Sequence, residues 1–285
     1  MKSLILNGDD ITISANGLHL IIKDNKETVK YLPSTFNYDL IFTTAITGYI
    51  SLKALDWLSE RKTAIAYYHI NGNEISTTLP LYPERNPDIQ INQFKAYMDN
   101  TKRKQISNEF LNQKFTNSNL LLKELNFEPI ELNYSEAIFS KLYWSKLGTK
   151  IREYGYEFTT RKGVNKTINR HATGIVNALL NLFYGYAEGK LAVEIAKAGL
   201  NTQISFTHEP TFSKSSLAYD LIEPLRAKID SVVLKMLKHH EINNRDFYIA
   251  KHSYYMVKEP EKMINNIASL NYEQPVKHLL TFLSD

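Results

Sequence analysis

The sequence predicts a two-domain protein: a small, sandwich-like all-β domain with one helix over residues 1–86, and a larger all-α domain over residues 87–285. Three observations predict it. Short runs rich in Ile, Leu, Val and Thr alternate with turn residues through the first 80 positions. Pro80, Pro83 and Pro87 crowd a connector, where proline removes donors and restricts its predecessor. Beyond it, apolar residues recur at helical spacing.

In the first part, strands are expected over 3–6, 11–15, 18–23, 28–32 and 39–44, separated by Asn7-Gly8-Asp9-Asp10, Asn16-Gly17 and Asp24-Asn25. Apolar residues at 50, 52, 55 and 58 predict one amphipathic helix over 50–61. Strands follow over 64–70 and 75–79, joined through Asn71-Gly72-Asn73. So many strands without long helices between them suggest an antiparallel sandwich or half-barrel. His19 and His69 stand alone and read as structural.

In the second part, helices are expected over 93–112 and 118–125, the latter capped by Ser118. Lys95, Lys102, Arg103 and Lys104 give the first of these a basic face. The next helix, 135–148, has Ser135 as cap, Glu136 in its first turn and Gly148 as its stop. Residues 149–167 read as a basic loop around Arg152, Arg161, Lys162 and Lys166. A long apolar helix, or a broken pair, over 167–198 ends at Gly199 and carries Asn177 and Asn181 one turn apart; buried amides there would need partners. The helix over 213–238 should bend at Pro224, and shorter helices complete the chain from 239 to 284.

Composition narrows the chemistry. With no cysteine, thiolate metal sites, disulfides and cysteine nucleophiles are excluded, so any ion must be held by oxygen and imidazole. No run approaches the roughly 18 apolar residues of a membrane span, and the N-terminus lacks a signal-peptide core. A cytoplasmic protein without membrane attachment is the expectation. Residues 1–86 carry a net charge of −1 and the remainder +5, so the basic excess lies in the part where a polyanion would bind.

The stretch from Gln203 to His239 concentrates potential ligands. His208 precedes a serine pair, and Asp220 and Glu223, three apart, would share one helical face at the border of an apolar stripe. Like charges that close call for a cation. With Glu136 on another helix, two or three oxygens and one imidazole suit Mn2+ or Mg2+ in phosphodiester chemistry. Acids three apart on a helix are also common as ordinary surface groups, and the residues alone leave both readings open.

These residues resemble those of the CRISPR-associated adaptation integrase family, the endonucleases that insert new spacers into CRISPR arrays. Glu136 opens a helix that soon contains Lys141, Tyr143 and Trp144. Asn177–Asn181 reads Asn-Ala-Leu-Leu-Asn ahead of Tyr184-Gly185-Tyr186. Gly199-Leu200, Phe206, His208-Glu209, Ser216-Leu217-Ala218, Asp220, Glu223 and Arg226 follow the family's order. Tyr31, Pro33, Asp39, Ile41, Asn71 and Gly72 extend the likeness more loosely to the N-terminal part. The chain departs at Gly174, where the family commonly has aspartate, and at Leu182-Phe183, which separate Asn181 from Tyr184. It departs again at Thr211, Ser213 and Lys214, which replace two arginines and a glycine.

The resemblance implies a metal, Mn2+ or Mg2+, bound by Glu136, His208 and Glu223, with Asp220 as an auxiliary catalytic acid. It implies double-stranded DNA as substrate, both incoming fragment and CRISPR repeat. It also implies a homodimer through the β domain and a small adaptation partner protein, Cas-two. Two alternatives accompany it: a transposon-encoded integrase outside CRISPR, and a DNA-binding scaffold that has lost catalysis.

Overall fold

The structure is a computed structural model that describes residues 2–24, 27–45, 47–69, 74–80, 86–161, 172, 174–208, 215–250, 253–256 and 259–284. It is mixed α/β, with a β-rich N-terminal region and a mainly helical C-terminal region.

The N-terminal strands are β1 (Ser3–Leu6), β2 (Ile11–Asn16), β3 (His19–Lys23), β4 (Thr28–Tyr31), β5 (Leu40–Thr43), β6 (Gly48–Ile50), β7 (Ala64–Tyr68) and β8 (Glu74–Thr78). Helix α1 (Leu52–Glu60) precedes β7, capped by the Ser51 side chain, which accepts the Ala54 N–H at 3.2 Å. The strands form two four-stranded sheets, ordered β1-β5-β7-β8 and β4-β3-β2-β6. Neither is purely antiparallel as expected: β1, β5 and β7 run parallel, and β6 joins β2 in parallel. Every residue of β5 is buried, the pattern of a parallel strand covered on both faces. Ile11 and Ile13 of β2 and Leu20 and Ile22 of β3 turn inward by alternation. They pack with Ile41, Ile65 and the Trp57–Leu58 end of α1 as one core between the sheets.

The C-terminal region contains α2 (Pro87–Met98), α3 (Asn100–Glu124), α4 (Glu136–Glu153), α5 (Ile175–Lys197), α6 (Ser216–Leu221), a 3-10 turn at Glu223–Leu225, α7 (Arg226–Lys238), α8 (Pro260–Ala268) and α9 (Glu273–Leu283). Its boundaries correct the expectation in several places. Asp99 caps α3 by accepting the Thr101 and Lys102 N–H groups, so the helix break falls there, and Ser118 lies buried in mid-helix. Gly148 does not stop α4; it makes room for Phe158, whose ring would lie 3.1 Å from a Cβ at that position. The region is also not all-α. Strands β9 (Phe247–Ala250) and β10 (Ser253–Met256) form an antiparallel hairpin, from segments rich in aromatic residues that suit a pleated sheet.

Helix α5 is buried along almost its whole length and is the centre of the molecule. It lies against the open face of the first sheet, where Leu40, Phe42, Ala64, Ala66 and Tyr68 join its core. A Cβ on Gly189 would approach Ala66 Cβ to 3.3 Å, so glycine allows this close packing. Gly199, at φ +79°, ends the helix as expected. Among the described residues, no helix is long and apolar enough to cross a membrane.

Candidate active site

A cleft of about 960 Å³ opens between α3, α4, α5 and α7, and Glu136, His208 and Glu223 all line it. Glu136 is the first residue of α4. Ser135 takes the extended N-cap conformation, but its hydroxyl makes no capping bond. His208 lies in the segment between Gly199 and α6, whose start Gln93 holds by donating to the Asn201 and Ile204 carbonyls at 2.9 and 2.8 Å.

Asp220 and Glu223 sit on different elements, the first on α6 and the second on the 3-10 turn that follows it. Pro224 lies in a 3-10 turn that interrupts the expected continuous helix, and the two acids take different partners. Asp220, 0% exposed, is bound to the His208 loop. Its carboxylate accepts the backbone N–H groups of Phe206 (2.5 Å), Thr207 (3.0 Å) and His208 (3.1 Å). It also lies 2.7 Å from His208 Nδ1. A carboxylate only accepts, so in the neutral imidazole Nδ1 carries the proton and Nε2 keeps its lone pair. This hydrogen bond raises the His208 pKa above its ordinary value.

Glu223, 3% exposed, lies between two cations. Arg226 Nε reaches Oε1 at 3.0 Å, and Lys114 Nζ lies 2.8 Å from Oε2. The second contact is a close ion pair that sets a cation against Oε2. Burial alone would raise the Glu223 carboxyl, but Arg226 and then Lys114 hold it below the usual carboxylate range. Lys114 also bonds Glu136 Oε1 at 2.6 Å, so one ammonium bridges the two glutamates. Asn117, one turn along α3, donates to the Pro224 carbonyl at 2.8 Å and pins α3 to the turn that carries Glu223. Among the described residues, no three carboxylate or imidazole groups stand close enough together to share an ion. The donor types nevertheless suit a hard divalent cation, and the glutamate oxygens that Lys114 bridges are the ligand atoms such an ion would take.

The cleft also contains a group with no sequence signal of its own. Asp230 on α7 accepts hydrogen bonds from Tyr143 on α4 at 2.7 Å and from Tyr184 on α5. Complete burial raises its carboxyl to about 6, against the two phenol donors, Arg226 and Arg161, which lower it. The only hint was that Tyr143 and Tyr184 belong to motifs yet had no assigned role. Asn177 is networked as its burial required, accepting from Arg161 at 3.3 Å and donating to the Thr160 carbonyl at 3.0 Å. Arg161 packs over the rings of Tyr184 and Trp144. Of the basic helix face, Arg103 is used internally, stacked on Tyr97 and donating to the Phe206 carbonyl. His19 and His69 are exposed, and neither lines the cleft. Lys162, Lys166, Glu209, Thr211, Ser213 and Lys214 lie outside the described residues.

Residues 4–129 and 128–267 match the family described as CRISPR associated protein Cas1. The chain belongs to the Cas1 family. One relative, CRISPR-associated endonuclease Cas1 1 of Archaeoglobus fulgidus, is 40% identical over 116 residues. That match covers 39% of this chain and 32% of the relative, so the chain spans about a third of that protein's length. A casposase bound to integration product superposes with a TM-score of 0.81 at 25% identity, over 94% of this chain and 82% of that one. The Cas1 protein TM1797 of Thermotoga maritima gives 0.83 at 17% identity, over 99% and 97%. In this Cas1 chain, Gly174 stands at the N-cap of α5 and supplies no side-chain cap.

Proposed function

We infer that the chain is a divalent-metal-dependent DNA endonuclease and integrase of CRISPR adaptation, cutting phosphodiesters and joining DNA 3′-hydroxyls to a target strand. One observation carries this reading: Glu136, His208 and Glu223, from three separate elements, line a single cleft in which one ammonium bridges the two glutamates. Glu136, His208 and Glu223 would hold Mn2+ or Mg2+. Such an ion, when bound, supplies Lewis acidity toward a phosphate and its leaving oxygen. Asp220 is the positioning acid, fixing the imidazole so that Nε2 is the free nitrogen. Arg226, Lys114 and Arg161 give the cleft positive charge for a DNA backbone.

Double-stranded DNA, as incoming fragment and CRISPR repeat, is the proposed substrate, and the basic C-terminal part supports it. A homodimer through residues 1–86 is supported by unpartnered apolar side chains there: Leu18 is 69%, Tyr49 63% and Leu52 84% exposed. Residues 87–285 form the catalytic unit in this reading, the small adaptation protein Cas-two is a further partner, and the cytoplasm is the compartment.

The casposase likeness favours a second reading, a transposon-encoded integrase outside CRISPR. A repeat array and a partner gene beside this gene decide between the two. Strand transfer measured with and without manganese tests the chemistry. Glu136→Gln, His208→Ala and Glu223→Gln should each abolish joining while the protein stays folded. Full manganese-dependent activity in His208→Ala defeats the assignment.

A further inference from the structure

Lys114 occupies a position that electrostatics makes unusual. Its ammonium sits at the end of a side chain only 12% exposed and touches one oxygen of each glutamate, at 2.6 and 2.8 Å. Glu136 is half-exposed and could reach water, but Glu223 is buried and carries a second cation, Arg226, on its other oxygen. Arg226 alone neutralises Glu223. Lys114 is therefore not needed to balance that residue. What it balances is the pair: without it, two carboxylates from α4 and the 3-10 turn would face each other across the cleft and repel.

We propose that Lys114 is the resident counter-ion of this site, holding Glu136 and Glu223 together before a divalent ion arrives and leaving their carboxylates when it does. The inference rests on the metal reading above and deepens it. The ammonium and a divalent ion compete for the same two oxygens, so they cannot both hold them. Loading therefore requires the ammonium to move, and the metal-free state is stabilised at the expense of metal affinity. Lys114 is a positioning residue in this scheme. It sets the spacing of the ligands and the threshold of ion occupancy, and Asn117 keeps its helix in register with the turn.

The unmodified protein provides the first test. Labelling of Lys114 by an amine-reactive reagent, read by peptide mass spectrometry, should be slow without metal and accelerate by about tenfold on adding Mn2+, as the amine leaves both carboxylates. The second test is Lys114→Met, assayed by melting and by calorimetric titration with Mn2+. It should melt lower than wild type without metal and bind Mn2+ about tenfold more tightly, whereas Lys114→Arg should stay close to wild type in both. If Mn2+ raises the wild-type melting temperature but leaves Lys114 labelling unchanged or slower, the counter-ion role is wrong and the metal site stands. If Mn2+ shifts neither wild type nor Lys114→Met, the metal reading fails and this inference falls with it. Should Lys114→Met not fold, the labelling result decides alone.

Discussion

Asp220→Ala isolates the difference between a metal ligand and the group behind it. The substitution deletes a fully buried carboxylate that accepts three backbone N–H groups and the His208 ring. The Phe206 N–H is buried and would be left without an acceptor, at a cost of about 1–3 kcal/mol. The Thr207 and His208 N–H groups are part-buried and can recruit water, so each loses roughly half as much. The total is about 4 kcal/mol, and for a chain of this length that lowers the melting temperature by roughly 8–16 °C. Calorimetry without metal measures it directly. Glu136→Gln, altering a half-exposed side chain, should melt near wild type in the same buffer. Manganese titration of Asp220→Ala should show affinity weakened about 10–100-fold but not lost, the usual effect of removing a ligand's support. Melting within a degree of wild type, or complete loss of manganese binding in a fully stable protein, would refute this account of Asp220.

Three further outcomes follow from the geometry. Asp230 is raised to about 6, so folding favours its protonated form; that stability is present below the unfolded value near 3.8 and is lost as pH rises through about 6. Asp230→Asn should therefore gain about 1.4 kcal/mol relative to wild type between pH 5 and 7, read by denaturant unfolding at both pH values, and a constant difference would contradict it. The Asp220 hydrogen bond favours protonated His208, and a metal needs its neutral form, so apparent manganese affinity should rise with pH through and above the ordinary histidine range; a flat titration would argue against His208 as a ligand. Gly48 has φ +140°, and a Cβ there would lie 1.9 Å from the Ile11 carbonyl oxygen, so Gly48→Ala should disrupt the β2–β6 pairing and cost about 3 kcal/mol or more in an unfolding titration.

Much of this was legible in the sequence because it was local. The alternation in Ile11–Asn16 and His19–Lys23, the prolines before α2 and the glycine after α5 each encode their own conformation. Strand direction was harder to read: the unbroken apolar start of Leu40–Thr43 suits a parallel strand buried on both faces, but a short run of that kind also fits a covered antiparallel one. The candidate site divided along the same line. His208, Asp220 and Glu223 came from one stretch, but helical spacing alone did not show that Asp220 holds the His208 loop while Glu223 pairs with Lys114 and Arg226. Lys114 and Asp230 could not be found that way. Each acquires its meaning from partners on other helices, and a single lysine or aspartate in an amphipathic pattern carries no sign of them.

The packing of Gly189 against β7 also sets an order of events during synthesis. The face of the first sheet formed by Leu40, Phe42, Ala64, Ala66 and Tyr68 is covered only by a helix that the ribosome makes much later. At about 5–20 residues per second, the nascent chain carries that apolar face for roughly ten seconds before its cover emerges. Even Ser3, among the first residues made, waits for the Tyr186 hydroxyl that donates to it at 3.1 Å. The N-terminal region therefore lacks its α5 cover during that interval, and slow-translating positions upstream of α5 would lengthen its exposure.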